Sequence, residues 1–271
     1  MISNNNTAEL RHIVITGASS GIGAALALYY AKKYCSGLVL TLAGRNESRL
    51  QSVAELCRGS GAKTYFAAFD ISDRHIANQW IKTINSICPI DLLIANAGIS
   101  GGTGGDRHES PAQARRIFEV NFTGVINTVE PAIQLMRERG RGQIALMSSL
   151  AGYRGWPGAP AYCASKAAVK VYGESLRVTL KPAKIKVNVI CPGFVKTPMT
   201  DSNSFPMPFI VSVEKAARII ARGLEKNRSK IAFPLPLVFI VWIFQIIPGA
   251  LAEFILKGAP VKTEPLPAGG R

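Results

Sequence analysis

The chain has 271 residues, 48% of them hydrophobic, and a formal net charge of +15. This length and apolar content suit one large α/β domain and exclude disordered and collagen-like classes. The five cysteines, Cys35, Cys57, Cys88, Cys163 and Cys191, form no C-x-x-C pair, so neither a disulfide framework nor a zinc site is expected. The positive charge fits an anionic cofactor, an anionic membrane surface or nucleic acid. No helix-turn-helix, zinc-finger or RNA-binding aromatic motif accompanies it, so nucleic acid is not an expected partner. Residues 1–11 are polar and lack an apolar core of signal-peptide length, so the catalytic body is expected to stay in the cytoplasm. His12, His75 and His108 are scattered and read as structural or surface residues.

His12–Thr16 is a short β-branched run that reads as a strand buried on both faces of a parallel sheet. Gly17-Ala18-Ser19-Ser20-Gly21-Ile22-Gly23 follows, and Ala24–Tyr34 has a helical period. A glycine turn between strand and helix lets backbone approach a pyrophosphate while the helix N-terminus favours its charge. Leu38–Ala43 is the second strand. Arg45 stands just after it, where an NAD site places an acid for the ribose 2′-hydroxyl. A guanidinium there pairs with a 2′-phosphate, so NADP(H) is preferred and NAD(H) is the alternative.

Lys63–Phe69 is the third strand, after a helix over Glu47–Cys57. Asp70, followed by Ile71, either accepts from an adenine amine or caps the next helix, a task better suited to Ser72 or Asp73. Asp91–Ala95 is the fourth strand and leads into Asn96-Ala97-Gly98, whose small residues admit a cofactor closely. Gly101–Gly105 reads as a mobile loop at the site mouth. Glu109–Arg139 is helical, and Asn121 near Gly124 hints at a local distortion of that helix.

Gly142–Ser148 is the fifth strand and puts Ser149 at its C-terminal end, the edge where open α/β sheets bind ligands. Pro160 starts a helix running to about Leu180 that carries Tyr162 and Lys166. Four residues apart on one helical face, the phenol and the ammonium reach one bound molecule. A fixed positive charge favours the ionised phenol, so the pair can exchange a proton near neutral pH. Ser148 is expected to project away from the site, because strand neighbours face opposite ways. Ile185–Ile190 is the sixth strand, before Pro192, Gly193, Val195 and Thr197.

In this order, over Ile13 to Thr200, the motifs resemble those of the short-chain dehydrogenase/reductase family. The resemblance implies a three-layer, doubly wound parallel sheet of about seven strands, a Rossmann fold. It implies that Gly17, Ser19, Ser20, Gly21, Ile22 and Gly23 hold the cofactor pyrophosphate and that Asn96, Ala97 and Gly98 steady the sheet near the adenosine. Tyr162 becomes general acid/base, with Lys166 lowering its pKa and holding the nicotinamide ribose. Ser149 binds the substrate oxygen, Asn121 joins a proton relay through water near Lys166, and Thr197 contacts the carboxamide. No metal is required, and a homodimer or homotetramer is expected.

After Thr197 the chain departs from that pattern. Pro198–Ile210 is rich in proline, methionine and phenylalanine and reads as an apolar substrate flap. Val213–Asn227 is an amphipathic helix, and Lys230–Phe233 a final strand. Ile231–Ala252 holds 22 residues without a charge, but Pro234, Pro236 and Pro248 break it, leaving the 11 residues Leu237–Ile247, too few to span a bilayer. This lobe covers the pocket, dimerises or dips into one leaflet. In the last case Arg218, Arg222, Lys226, Arg228 and Lys230 meet anionic headgroups on the cytoplasmic face of a membrane. The domain division is then 1–11, a polar extension; 12–233, the catalytic Rossmann domain; and 234–271, a hydrophobic extension ending in a loose tail. Function follows as NADP(H)-dependent interconversion of a hydrophobic ketone or aldehyde and its alcohol. The alternative is a membrane-associated NADP(H) sensor or scaffold without turnover.

Overall fold

The computed structural model describes residues 11–103, 108–201, 203, 205–258 and 262. Seven parallel strands form one sheet in the order β3-β2-β1-β4-β5-β6-β7. They are β1 His12–Thr16, β2 Val39–Gly44, β3 Lys63–Ala68, β4 Leu92–Ala95, β5 Gly142–Met147, β6 Ile185–Pro192 and β7 Lys230–Phe233. The chain order reverses between β1 and β4, which opens a crevice beyond their C-terminal ends.

Alternation along the strands sorts the core into two layers. Ile13 and Ile15 of β1 pack with α1 (Gly21–Tyr34), α2 (Glu47–Gly59) and α8 (Val213–Glu225) on one face of the sheet. Val14 of the same strand packs on the other face with α3 (Arg74–Ile87), α5 (Gly124–Arg139) and α6 (Pro160–Thr179). The expected three-layer doubly wound fold is therefore present. His12 is a structural residue: it is buried, with Nδ1 2.6 Å from the Cys88 carbonyl oxygen and Nε2 2.8 Å from Thr41 Oγ1. Burial lowers its pKa, against the Cys88 hydrogen bond.

Three local expectations are corrected. The sixth strand runs on through Cys191 and Pro192, which pair with Ala232 and Phe233. β5 stops at Met147 opposite Ile190, so the missing N–H of Pro192 costs no ladder bond there. Pro234 and Pro248 break the apolar segment as expected, standing at the N-caps of α9 (Leu235–Ile246) and of the next helix, but Pro236 does not: it lies in the first turn of α9, where no backbone N–H is needed. α10 (Gly249–Leu256) follows, and Leu237 and Val241 of α9 are buried against Leu150, Val189 and Cys191.

The third correction concerns the glycine-rich loop and the tail. Gly104 and Gly105 lie outside the described residues, but Gly101, Gly102 and Thr103 are buried. Thr103 N donates to the Lys262 carbonyl at 3.0 Å. Lys262 belongs to the tail expected to be loose, whose other residues beyond Gly258 lie outside the described ones.

Candidate active site

Every cofactor-binding residue named from the sequence, except Gly23, borders one groove of about 460 Å³ at the crevice between β1 and β4. Its floor is the glycine turn. Gly17 has φ +64°, and a Cβ there would lie 2.7 Å from Ala97 Cα. Gly23 is excluded from the lining because it sits beneath it, where a Cβ would come within 2.3 Å of the Gly17 carbonyl oxygen. Asn96 fixes the turn by donating Nδ2 to the carbonyls of Thr16 (3.0 Å) and Gly17 (3.1 Å). Thr16 Oγ1 accepts from the amides of Asn96 and Ala97 at 3.0 and 3.1 Å.

The residues present fit a dinucleotide. Ser20 caps α1 without a side-chain hydrogen bond, so the helix N-terminus presents its amides to the groove. Arg45 and, unanticipated, Arg49 line the far end beside Asn46, which caps α2 by accepting from Arg49 N at 2.9 Å. The i+4 spacing of the two arginines was the missed signal. Asp70 also borders the groove. Its Oδ1 accepts from the amide (2.9 Å) and hydroxyl (2.7 Å) of Ser72, and its Oδ2 pairs with Arg116. Burial works to raise its pKa, but Ser72 and Arg116 outweigh it and hold the carboxyl below the usual range. The cap of α3 is Asp73, which accepts from Ile76 N at 3.0 Å.

At the other end, Ser149, Tyr162 and Lys166 converge. Tyr162 and Ser149 are hydrogen-bonded, and Ser149 Oγ also accepts from Ala151 N at 3.1 Å. Lys166 Nζ donates to the Met147 carbonyl at 2.9 Å. Asn121 lies in a π-helical turn, Glu119–Thr123, the distortion expected there. It bonds Ile99 in both directions, accepting from N at 2.8 Å and donating to O at 3.0 Å, and donates to Ser165 Oγ at 3.0 Å. Ser165 Oγ in turn donates to the Tyr162 carbonyl at 2.8 Å. Gly98 fits between Asn121 and Lys166: a Cβ would lie 3.1 Å from Nζ and 3.2 Å from Asn121 Oδ1.

Two positioning serines escaped the sequence reading. Ser165 ties the π-turn to α6, and Ser148, expected to turn away, donates to the Lys166 carbonyl at 2.7 Å and borders the groove. The expected charge relation between Tyr162 and Lys166 is corrected as well. Burial is the largest influence on both, raising the phenol despite its bond to Ser149 and lowering the ammonium to about 8. Lys166 Nζ stands 5.9 Å from the Tyr162 ring centroid, and desolvation in the packed cleft is the largest influence on the phenol.

A second cavity, of about 360 Å³, opens on the other side of Tyr162. Ser149, Tyr162, Gly193, Met199 and Thr200 border both spaces. Its remaining wall is largely apolar, from Trp156, the flap residues Phe205 and Pro206, and Leu237, Ile240 and Val241 of α9. Phe194 meets Phe205 edge-on at 6.0 Å.

This arrangement can hold a dinucleotide with its reactive end facing an apolar compartment. Residues 11–206 match the family model for short chain dehydrogenase. An uncharacterized oxidoreductase of Myxococcus xanthus is 34% identical over 244 residues, covering 90% of this chain and 95% of its own. The 11-beta-hydroxysteroid dehydrogenase-like 2 protein of Arabidopsis thaliana is 35% identical over 242 residues, covering 86% of this chain and 76% of its own. Among solved structures, an actinorhodin polyketide ketoreductase variant with NADPH superposes with a TM-score of 0.73 at 25% identity, covering 82% of this chain and 94% of its own. With the sheet order, the groove and the Ser149–Tyr162–Lys166 cluster in place, the chain belongs to the short-chain dehydrogenase family and is an oxidoreductase of that nicotinamide-using type.

Proposed function

We propose that the protein is an NADP(H)-dependent oxidoreductase that interconverts a hydrophobic ketone or aldehyde and its alcohol. The observation that carries this reading is the apolar cavity meeting the dinucleotide groove at Ser149 and Tyr162. The steroid-dehydrogenase-like name of the Arabidopsis relative supports an apolar substrate, and the NADPH of the ketoreductase supports the cofactor.

The glycine turn and α1 would hold the pyrophosphate, and Arg45 and Arg49 the 2′-phosphate. The bound nicotinamide supplies or accepts the hydride. Tyr162 Oη gives a proton to the carbonyl oxygen as negative charge develops there, and Ser149 Oγ donates a second hydrogen bond to the same atom. Lys166 and Asn121 then stand on the route by which Tyr162 regains a proton. The apolar wall excludes water, which strengthens both hydrogen bonds.

Purified protein is expected to oxidise NADPH with an apolar ketone and to prefer NADPH to NADH. Arg45→Ala is expected to lower that preference by about tenfold or more, since a charge-assisted contact is worth roughly 1.5–3 kcal/mol. No turnover over a broad panel of apolar ketones would assign the groove to binding alone. Unchanged selectivity in Arg45→Ala would remove the cofactor preference.

The second element of the proposal is a membrane surface as partner. Among the described residues no helix is long and apolar enough to cross a membrane. Yet α9 and α10 expose large apolar side chains: Leu235 and Phe254 are each 77% exposed, and Phe239, Trp242 and Ile246 are exposed beside them. A net charge of +15 favours an anionic bilayer over a second copy of the chain. The protein is expected to float with anionic liposomes, and a Phe239→Ser/Trp242→Ser/Phe254→Ser variant to remain behind. A dimer left in the soluble fraction would assign the face to self-association.

A further inference from the structure

α9 forms part of the cavity wall with little burial to hold it there. Of its 12 residues only Leu237 and Val241 are buried, while Leu235, Phe239, Trp242 and Ile246 are exposed. A helix of this length is marginal in water and depends on tertiary contacts. Its C-terminal end also has a deficit written in the sequence. The Ile243 carbonyl accepts from Ile247 N at 3.2 Å, but the next carbonyl, that of Phe244, has Pro248 four residues on, and proline carries no N–H. Arg154, 90 positions earlier, supplies the donor: its Nη1 donates to the Phe244 carbonyl at 2.9 Å. Gln245 Nε2 reciprocates by donating to the Tyr153 carbonyl at 3.3 Å. The same junction reaches the reacting residues. The Phe244 ring meets that of Trp156 at 5.8 Å, Trp156 borders the cavity, and Trp156 N donates at 3.4 Å to Sγ of Cys163, the neighbour of Tyr162 in α6.

Residues 153–156 thus splice the helix that carries Tyr162 to the apolar extension. Resting on the reading of this cavity as the substrate site, we propose that Arg154 is a positioning residue that sets substrate selectivity: by completing the end of α9 it holds Ile240, Val241 and Trp156 as one wall, against which the apolar body of a long substrate packs. A short ketone that engages only Ser149 and Tyr162 makes no demand on that wall. Without the guanidinium, α9 occupies its place for a fraction of the time, and the apparent affinity of a long ligand falls by that fraction.

Calorimetric titration of the full chain saturated with NADPH, using 1-decanol as probe, tests this apart from turnover, because the probe accepts no hydride. 1-Decanol is expected to bind the parent and to bind Arg154→Met about tenfold more weakly, the loss of one charge-assisted bond. Arg154→Lys keeps a cationic donor and is expected to recover most of that affinity. In turnover, KM for 2-decanone is expected to rise about tenfold in Arg154→Met with kcat within about twofold of the parent, while kcat/KM for 2-butanone holds, a split that general loosening of the fold does not produce. A parent that binds no 1-decanol, an affinity unmoved in Arg154→Met, equal losses for both ketones, or a loss of NADPH affinity beyond about twofold would overturn the proposal. A chain that reduces both ketones with unmoved selectivity keeps the proposed activity and loses this inference. A chain whose 1-decanol affinity depends on Arg154 but which reduces no ketone does the reverse.

Discussion

Tyr162→Phe is expected to lower kcat/KM for carbonyl reduction by about a thousandfold or more, within the range general acid catalysis supplies. The substitution removes one oxygen and keeps the ring, so the wall shared by groove and cavity stays intact. NADPH affinity measured by fluorescence titration is therefore expected to change by less than about twofold, a small fraction of 1 kcal/mol. Ser149 loses its phenol partner but keeps its bond from Ala151 N. Ser149→Ala is expected to cost less than Tyr162→Phe, because it removes a hydrogen bond to the developing charge and leaves the proton donor. A Tyr162→Phe enzyme within about tenfold of the parent would sink this assignment, since a residual rate that high needs no acid at that atom.

Lys166→Met is expected to abolish most activity and, at neutral pH, to stabilise the fold. The ammonium is buried, and burial depresses its pKa from 10.5 to about 8. That gap corresponds to roughly 3 kcal/mol by which the folded state disfavours the charged lysine. Removing the side chain strands the Met147 carbonyl, which offsets about 1–2 kcal/mol of the gain. The sign of the pH dependence follows from linkage. Below pH 8 folded and unfolded chains both carry the proton, and the cost is fully present. Between about 8 and 10.5 the unfolded chain holds more protons than the folded one, so the parent gains stability as pH rises. The melting-temperature advantage of Lys166→Met is thus expected to be largest at pH 7 and to vanish toward pH 10. A difference that stays constant over that range would show that the lysine is not buried as a charge.

The parts of this molecule that sequence exposes are those with a local cause. A β-branched run before glycines and a helical period after them can form little except a strand, a phosphate turn and a helix. The order of motifs then fixed Ser149, Tyr162 and Lys166 in one place. Pro192 and Pro236 were misjudged because their cost depends on neighbours. One lies where β5 has already ended, and the other in a first helical turn. The shift at Tyr162 was illegible for the same reason, since burial is a property of the packed cleft and reverses what adjacency to a lysine suggests. The place of Lys262 had no signal at all in a proline- and glycine-rich tail; only contact with Gly102 and Thr103 reveals it.

The wall between groove and cavity has a consequence for how such an enzyme diversifies. Its five shared residues serve both ligands, so changing them disturbs both at once. Phe205, Leu237 and Ile240 border the cavity alone and come from the chain after the last β6 residue, on segments that carry none of the glycine turn or the phenol. New substrate ranges can therefore arise by drift at these cavity-only positions while the groove is left untouched. The molecule is in effect an engine fitted with an exchangeable socket.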